Sequence, residues 1–526
     1  MPREVFVVQI GQCGNQIGGQ FWETLLEEHA AAVVREAEAA KKWSRQNASY
    51  VPRFSASMST FFRNVNARHH ACYDLGDGQP LRTLKARAIL IDMEEGVLNE
   101  LRRGSFGSLF DERHLISDVS GAGNNWAHGF CVYGPEHRDR IAESLRRSLE
   151  AAESPQGFLI LHSLGGGTGS GLGSFVVQML EEELPDLPRF CCSVVPSPLQ
   201  ADDVVTAPYN NLLSLLHLRR HASCVLPVSN DALVKMCESQ RATPTKQAVH
   251  LSFDRHSSSS SLSSSRSSFS RSPRFLRASP RTTMTGEKGD TISRAGERKR
   301  ERRKCAFAEM NAIVAQTLSH LTSSLRYEGS LNVDLEDICT NLVPFPGLHF
   351  LLASLPSSAQ PREETSLARA FSQSFNALLS PAHQLFACHP KRSLCLAAAF
   401  LVRGAGISVS DLLNNIGRVR RSLRVLSGNE DATKIGLCAV APVGQTYGLL
   451  GLSNSCEATH LFSSVHERFD KLFKRKAHLH HYEQYMDLDM FVEASESVLD
   501  LASSYAFLNR NNFPPPAFLG ADLHAF

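Results

Sequence analysis

Apolar residues in the N-terminal half of this chain fall into short continuous runs, and stretches with helical spacing follow several of them. Val5 to Val8 form one such run and Phe158 to Leu161 form another. After the second run, apolar side chains recur at the spacing of one helix face, at Leu172, Phe175, Val176 and Met179. Short apolar runs are typical of buried strands, so the pattern predicts an α/β domain in which strands alternate with helices.

A glycine-rich loop ending at Gly171 connects the second run to its helix. Glycines let the backbone approach a ligand closely, and the N–H groups at a helix N-terminus are unpaired and attract anions. The loop has neither the Gly-Lys-Ser/Thr of a P-loop nor the G-x-G-x-x-G register of a Rossmann dinucleotide loop. A merely flexible loop is the alternative, but strand-to-helix junctions are where α/β sheets bind ligands. We therefore expect a phosphate site here.

Two more small-residue loops repeat this arrangement. Gly11 to Gln16 precedes a helix with an apolar face, and Gly121 to Ala127 precedes another predicted helix. The first loop reads GQCGNQIG and the glycine-rich loop reads GGGTGSG. Both sequences resemble the nucleotide loops of the tubulin family. The resemblance implies a tubulin-like α/β fold with a Rossmann-like N-terminal domain that binds GTP or GDP.

The resemblance also implies which residues contact the nucleotide. In the three loops these are Gly11, Gln12, Cys13, Gln16, Asn124, Ser163, Gly165, Gly166, Gly167, Thr168 and Gly169. Cys13 has two interpretations, a reactive thiol or a small residue packed beside the nucleotide, and the second is favoured.

Three later residues match the family's contacts to the guanine base. Asn230 and Asn311 each carry an amide, which offers the donor and the acceptor that a guanine edge requires. Phe307 matches an aromatic residue stacked on the base, although an ordinary core aromatic is the alternative. Ala207 stands where alpha- and beta-tubulin carry a glutamate near the ribose, so we expect one hydrogen bond to the sugar to be missing.

A candidate magnesium ligand follows the run from Ala88 to Asp92. Carboxylates at the exit of this predicted strand are suited to a Mg²⁺ ion bound to the phosphates. The position that matches the family's magnesium-associated glutamate is Glu94. A solvated acid without a ligand is the alternative.

The resemblance places a catalytic loop beyond a long helix. Apolar positions from Met310 to Leu325 predict one helix that ends near Tyr327. The following N-x-D-x-x-D pattern resembles the loop that activates water in tubulins, and it assigns the catalytic positions to Asp337 and its neighbour Glu336. Solvated or purely structural acids are the alternative.

The predicted helix separates these acids from the base-binding end at Phe307 by roughly 25–30 Å, at 1.5 Å per residue. Asp337 would then act on the nucleotide of a neighbouring subunit rather than on its own. Such a divided site implies head-to-tail assembly, which produces filaments when the rotation between subunits does not close.

Other segments indicate which tubulins the chain resembles. The STFFRNV sequence from Ser59 and the KAHLHHY sequence from Lys476 are like those of epsilon-type tubulins. We interpret the second as part of a basic, partner-facing helix. The chain has no acidic tail like those of alpha- and beta-tubulin. Ser357 to Thr365 occupies the place of the family's lateral-contact loop, but its sequence differs too much to predict whether that contact is made, so lateral binding stays open.

Composition limits the remaining possibilities. The chain has 526 residues, 42% apolar content and 13 cysteines without a C-x-x-C pair. Scattered cysteines favour a reducing compartment and argue against zinc. No apolar run is long enough for a transmembrane helix, and the N-terminus reads as a strand rather than a secretory signal. We expect a cytoplasmic protein without membrane insertion.

Residues 241–304 hold 16 Lys/Arg against 5 Asp/Glu, a local charge of +11, so the remainder of the chain is near −9. This serine-rich segment has no apolar period, and we expect disorder. A tolerated surface insertion is the first interpretation. A phosphorylated or partner-binding segment, through Ser272 and Ser279, is the second. Nucleic-acid binding is disfavoured because no aromatic platform accompanies the charge.

These observations predict five segments. They are a GTP-binding domain over 1–239, a basic insertion over 240–304, a central helix over 305–328, an intermediate α/β domain over 329–456 and a C-terminal helical region over 457–526. The resemblance implies an epsilon-type subunit of centrioles or basal bodies that takes part in compound microtubules. Its partners would be alpha-, beta- and delta-tubulin and centriolar proteins. The alternative is an assembling GTPase that forms, or joins, microtubule-like filaments.

Overall fold

The computed structural model describes residues 3–43, 53–66, 73–197, 204–242, 307–356, 367–429 and 432–512. Several predictions concern residues outside these ranges. They include the basic segment 243–304, the lateral-contact stretch Ser357 to Thr365 and the chain beyond residue 512.

A six-stranded parallel sheet forms the centre of the N-terminal domain. Its strands are β1 (Glu4–Ile10), β5 (Ala88–Asp92), β6 (Leu115–Ser117), β7 (Pro155–Ser163), β8 (Arg189–Val195) and β9 (Cys224–Ser229). The spatial order is β6-β5-β1-β7-β8-β9, and all neighbouring pairs are parallel. Since parallel strands share one carboxyl edge, the loops that leave them converge there. The predicted α/β fold is confirmed.

Helices cover both faces of this sheet, which explains why its strands are continuously apolar. They are α1 (Gly11–Trp43), α3 (Glu95–Arg103), α4 (Gly134–Glu150), α5 (Gly173–Glu183), α6 (Ala207–His221) and α7 (Asn230–Ala242). The short helix α2 (Ala56–Ser59) leads into a small antiparallel sheet made of β2 (Phe62–Asn66), β3 (Tyr73–Asp74) and β4 (Thr83–Ala86).

The central helix, α8, covers residues 307–321 and is followed by the short helix α9 (Ser323–Arg326). The prediction of one uninterrupted helix is wrong at Thr322, which forms a turn between the two. The Thr322 hydroxyl donates a hydrogen bond to the carbonyl oxygen of Leu318 at 2.9 Å. Threonine side chains that bond the carbonyl four residues earlier compete with the helix backbone and bend it.

The second domain is a mixed sheet with helices. Its elements are α10 (Leu335–Leu342), β10 (Leu351–Ser354), α11 (Leu367–Ala377), β11 (Leu394–Arg403), α12 (Val409–Ser422), β12 (Arg424–Val425), β13 (Thr433–Cys438) and β14 (Gly448–Ser455). Strand β11 lies in the middle, antiparallel to β14 and parallel to β12 and β13.

A buried ion cluster joins the two domains. Glu28 of α1 binds Arg326 at 2.7 Å and Arg403 at 2.9 Å, and both arginine side chains are fully buried. The Ser319 hydroxyl donates to the same carboxylate at 2.7 Å. The helix that begins in the first nucleotide loop is therefore fixed to the end of the central helix and to β11.

The C-terminal region consists of α13 (Thr459–Phe473), α14 (His480–Glu483) and α15 (Asp489–Asn511), and both long helices pack on α6. The prediction of a continuous basic helix through KAHLHHY is wrong. Residues 474–479 form turns, with Lys476 at φ 50° and His478 at φ 59°, both in the left-handed region that interrupts a helix. None of the helices in the described residues is long and apolar enough to cross a membrane.

Candidate nucleotide site

The first loop and the glycine-rich loop touch at the carboxyl edge of the central sheet. A Cβ atom added to Gly11, which has φ +71°, would lie 2.9 Å from the Gly169 backbone nitrogen. A Cβ added to Gly169 would in turn lie 2.9 Å from the Ser163 hydroxyl. Side chains at these two glycines would push the loops apart, so the close approach requires glycine.

The third loop closes over the same place. A Cβ added to Gly167 would lie 2.8 Å from the Ala122 Cβ, and one added to Gly166 would lie 3.7 Å from the Asn124 side-chain oxygen. Asn124 has the left-handed φ of 55° and is exposed. The structure thus brings together all three loops that the sequence predicted to meet phosphate.

The buried side chain of His162 connects the glycine-rich loop to the neighbouring strand β8. Its Nδ1 lies 3.0 Å from the Gly169 carbonyl oxygen, and its Nε2 lies 2.8 Å from the Ser193 hydroxyl. A carbonyl only accepts, so Nδ1 carries the proton and Nε2 accepts from Ser193. Burial lowers the pKa of His162 to about 4, which keeps the ring neutral.

The helix after the glycine-rich loop begins with a π-helical turn. A π-helical turn covers Thr168–Leu172 and continues directly into α5. Thr168 and Gly166 are partly exposed, whereas Gly165, Gly167 and Gly169 are buried. Accessible residues therefore alternate with buried ones along the loop, and an anion can reach Gly166 and Thr168.

The first loop forms the start of α1. Gln12 is exposed and Gln16 is partly exposed, so both amides face a ligand-accessible surface. Burial raises the pKa of the Cys13 thiol to about 12. A thiol this hard to ionise is a poor nucleophile, which disfavours the reactive interpretation of Cys13.

Two acids lie at the exit of β5. A Cβ added to Gly121 would lie 2.3 Å from Oε1 of Glu94, so this exposed carboxylate lies directly against the third loop. Asp92 is buried, and its Oδ2 has no hydrogen-bond partner among the described residues. Burial raises the pKa of Asp92 to about 6. An unsatisfied buried carboxylate beside an exposed one is a donor set that fits Mg²⁺.

The base-binding candidates belong to α7, which follows the outermost strand β9, and to α8. Asn230 is partly exposed and begins α7, directly after β9. Phe307 begins α8 and is 46% exposed, so the interpretation of a core aromatic is wrong. Asn311 is partly buried one turn further along, where neighbouring Met310 packs in the same cluster as α7 residues such as Met236.

The predicted sugar-contacting segment begins α6. Ala207 is buried and has no polar side chain to offer. Thr206 donates to the Asn124 carbonyl oxygen at 3.0 Å. Sequence reasoning missed Asn210 as a site residue, although its amide bonds the backbone of two nucleotide loops. No local signal identifies it, because its partners are far away in the sequence.

The structure does not bring Asp337 and Glu336 to these loops. Both lie in the first turn of α10, beyond α8 and α9. Asp337 accepts from Lys434 Nζ at 2.7 Å through Oδ1. It also forms a capping box with Asp334: the Asp337 N–H donates to Asp334 Oδ1 at 2.7 Å, and Asp337 Oδ2 accepts from the Asp334 N–H at 3.3 Å. Asp337 thus has a structural role as well.

Burial raises the pKa of Asp337, but hydrogen bonds from Lys434 and from the Asp334 N–H outweigh it and leave that pKa below its ordinary value. Glu336 is exposed. A carboxylate held ionised near a surface is available to orient a water molecule on an approaching ligand.

Comparison with known proteins places this geometry in a family. The model of the Tubulin/FtsZ family GTPase domain matches residues 4–238, and that of the tubulin C-terminal domain matches residues 346–467. Tubulin epsilon chains from Mus musculus and Homo sapiens are 40% identical to this chain over 516 residues, covering 97% of each chain. A tubulin beta-1 chain from Homo sapiens is 30% identical over 510 residues, covering 96% of this chain and 93% of the relative.

The chain belongs to the tubulin family. It is a GTP-binding tubulin subunit of the cytoskeleton, and the predicted resemblance to epsilon-type tubulins is confirmed by the higher identity to the epsilon relatives. The three converging loops fit such a nucleotide, because their exposed positions are small residues or amides. At Gly123, with φ +56°, even an added Cβ would meet only open space.

Proposed function

We propose that this tubulin holds GTP or GDP on its three loops and completes hydrolysis only across a head-to-tail contact. The observation that carries the proposal is the separation of Phe307 from Asp337. Helix α8 alone covers residues 307–321, which is about 22 Å at 1.5 Å per residue. Asp337 follows after α9 and a further loop, so a carboxylate there would meet the nucleotide of a neighbouring subunit.

The nucleotide contacts in this proposal are those that the resemblance implies. Backbone N–H groups of the glycine-rich loop and of the first loop would hold the phosphates, Asn230 and Asn311 would bind the base edge, and Phe307 would stack on the base. The residues that would hold Mg²⁺ are Glu94 and Asp92. The ion, when bound, neutralises phosphate charge, and Asp92 would supply the buried anionic oxygen.

Exposed apolar side chains lie both near the nucleotide loops and near the candidate catalytic loop, and they support a head-to-tail contact. Val119 is 94% exposed and Val205 is 60% exposed, and both flank the loops that hold Asn124. At the opposite end, Leu331 is 47% exposed, three residues before the capping residue Asp334. Apolar residues exposed beside functional loops mark candidate interfaces.

We further propose the cellular setting that the epsilon resemblance implies. In this proposal the chain acts at centrioles or basal bodies, in compound microtubules, with alpha-, beta- or delta-tubulin and centriolar proteins as partners. The second candidate is a GTPase that assembles into its own filaments or into alpha/beta filaments. The ionised Asp337 favours a hydrolytic role in either setting.

Nucleotide content and turnover of the purified chain test the proposal, alone and with alpha/beta-tubulin. Hydrolysis that requires a partner and is lost in Asp337→Ala, but not in the matched exposed-acid control Glu328→Ala, would support the divided site. GTP that persists unchanged in every sample would contradict hydrolysis and leave a nucleotide-stabilised structural subunit. Absence of guanine nucleotide would contradict the assignment of the loops.

A sedimentation assay separates the two candidates. With GTP alone, polymer at moderate concentration is expected for the self-assembling GTPase, and no polymer is expected for a subunit that acts only beside other tubulins. Cosedimentation with alpha/beta filaments would favour the copolymer.

A further inference from the structure

Asn210 uses every hydrogen-bonding position of its buried side chain. Its Nδ2 donates to the carbonyl oxygens of Asn124 and Gly165, both at 2.8 Å. Its Oδ1 accepts from the Trp126 N–H at 2.9 Å and from the Tyr482 hydroxyl at 2.6 Å. Four bonds are all that an amide side chain can make. One residue therefore fixes two nucleotide loops to each other and to the C-terminal region.

The partner segment in the C-terminal region is residues 474–485, which contain the turns after α13 and the short helix α14; this segment is called here the C-terminal turn. It docks on the same part of the N-terminal domain through two more bonds. The Tyr209 hydroxyl donates to the Ala477 carbonyl oxygen at 2.7 Å, and Asn125 Nδ2 donates to the His481 carbonyl oxygen at 2.7 Å. The C-terminal turn therefore bonds Tyr209 and Asn125, the chain neighbours of Asn210 and Asn124.

Loops that bind a phosphate through backbone N–H groups depend on the orientation of their peptide planes. Asn210 holds the carbonyl of Asn124 and that of Gly165. The first peptide plane continues into the Asn125 N–H, which donates to the Ala122 carbonyl oxygen at 3.0 Å and so shapes the third loop. The second plane carries the N–H of Gly166 in the glycine-rich loop. If Tyr482 leaves, Oδ1 of this buried amide loses one of its two donors and keeps only the Trp126 N–H, and losing a buried hydrogen bond costs stability. The Asn210 side chain would then reorient, and its bonds to the Asn124 and Gly165 carbonyl oxygens would weaken.

We propose that Asn210 is a positioning residue for the nucleotide loops, and that the Tyr482 hydroxyl makes the affinity for guanine nucleotide depend on docking of the C-terminal turn. Linkage makes the dependence reciprocal: a bound nucleotide stabilises the docked turn to the same extent. Arg475 and Lys476 of the turn are exposed, so an acidic partner could bind them. A partner that undocked the turn in this way would lower the affinity for nucleotide. The proposal requires nucleotide binding, and it does not require hydrolysis or assembly.

Tyr482→Phe tests the proposal, with Tyr505→Phe as the matched control. Both tyrosines are buried in the C-terminal region, but the Tyr505 hydroxyl bonds Asn454 Oδ1 at 3.3 Å, in the second domain. Release of a fluorescent GDP analogue from the full-length chain is measured after adding excess GTP. We expect release to be about fivefold faster in Tyr482→Phe, the effect of one net hydrogen bond, and unchanged in Tyr505→Phe.

Backbone hydrogen exchange of residues 477–486 provides a readout that lost stability alone would not move. In the wild-type chain and in Tyr505→Phe, bound GDP is expected to slow exchange in the turn. In Tyr482→Phe this response is expected to be lost, even if both variants unfold at the same temperature. If Tyr482→Phe does not fold, Tyr209→Phe removes the neighbouring bond to Ala477 and carries the same expectations.

Equal release rates in the variant and its control would overturn the proposal. So would exchange in the wild-type turn that does not respond to GDP. A wild-type chain that failed to bind the analogue would overturn the nucleotide site together with this proposal, whereas a chain that binds without ever hydrolysing would leave the proposal standing.

Discussion

The Lys434 ammonium lies 2.7 Å from Oδ1 of Asp337, so the candidate catalytic carboxylate is paired before any partner arrives. Lys434 belongs to β13 and Asp337 to α10, and the pair joins the catalytic loop to the second domain's sheet. Both side chains are partly exposed, which leaves the carboxylate within reach of a partner.

Replacing Lys434 by methionine should move the pH dependence of partner-stimulated hydrolysis. Lys434 helps to lower the pKa of Asp337, so its loss raises that pKa. The acid limb of the rate profile is then expected to shift to higher pH. The stabilisation from this pair is present at neutral pH and lost as pH falls through the lowered pKa, and it amounts to under about 1 kcal/mol because the pair is exposed. Lys434→Arg should restore the profile, and an unshifted acid limb in Lys434→Met would contradict the role.

Replacing Phe307 by leucine should weaken nucleotide binding without unfolding the chain. The ring is 46% exposed, so its loss removes little core packing. Stacking of an aromatic ring on a base contributes about 1–3 kcal/mol, and we expect the dissociation constant for GDP to rise about tenfold or more. Titration calorimetry measures the affinity, with Phe307→Tyr as the variant that keeps it. Equal affinity in the leucine variant would show that Phe307 does not contact the base.

Asp92→Asn separates stability from magnesium binding. Because burial raises the pKa of Asp92 to about 6, its ionisation destabilises the free chain. The wild-type free energy of unfolding therefore falls as pH rises from about 4 to 6, by roughly 3 kcal/mol. Without nucleotide, the variant is expected to be more stable than wild type at pH 8 and equal to it near pH 4.

The same substitution is expected to weaken magnesium-dependent nucleotide binding, although it stabilises the free chain. Nucleotide affinity of the wild-type chain is expected to rise with Mg²⁺, and that of Asp92→Asn to respond much less. Glu95→Gln, an exposed acid on the same turn, is the control. If the two variants respond alike, Asp92 is not a magnesium residue.

The glycine-rich loop should loosen in mild acid through His162. Its pKa of about 4 in the folded chain lies below the ordinary 6.5, so stability is complete above pH 6.5 and is lost as pH falls toward 4. The loss is roughly 3 kcal/mol at the lower end. We expect nucleotide release to accelerate across this range. His162→Gln, which cannot titrate, should reduce the dependence to the part that Asp92 contributes; release as pH-dependent as in the wild-type chain would contradict the role of His162.

The ion cluster at Glu28 should be a point of large mutational effect. Burial opposes ionisation of Glu28, but Arg326 and Arg403 lower its pKa well below its ordinary range. Removing one member of a buried cluster leaves unpaired charge and costs about 3–5 kcal/mol. Glu28→Gln is expected to lower the free energy of unfolding by this amount, and the exposed neighbour Glu27→Gln to change it little, in denaturant titrations. Similar values for both would contradict the ion-pair argument.

The sequence predicted best where one pattern decides the outcome. Continuous apolar strands followed by glycine loops predicted the α/β domain, and the glycine approaches at Gly11 and Gly169 occur where the motifs lie. The wrong helix predictions and the missed site residue arose where single turns or contacts between distant residues determine the structure. Thr322 interrupts the central helix with a side-chain bond, and Lys476 and His478 turn the chain where we interpreted the sequence as a basic helix. Asn210 was missed because its partners are distant in the sequence, and only the folded chain brings them together.

Arg241 and Glu309 form an ion pair, although 67 residues separate them along the chain. Arg241 lies at the end of α7 and Glu309 at the start of α8, so the two helix ends that flank residues 243–306 lie close together. The free energy of closing a loop grows only slowly with its length. The connection between the two helices is therefore expected to tolerate changes of dozens of residues with both helices in place, and a foreign domain whose own ends lie close together should fit between them.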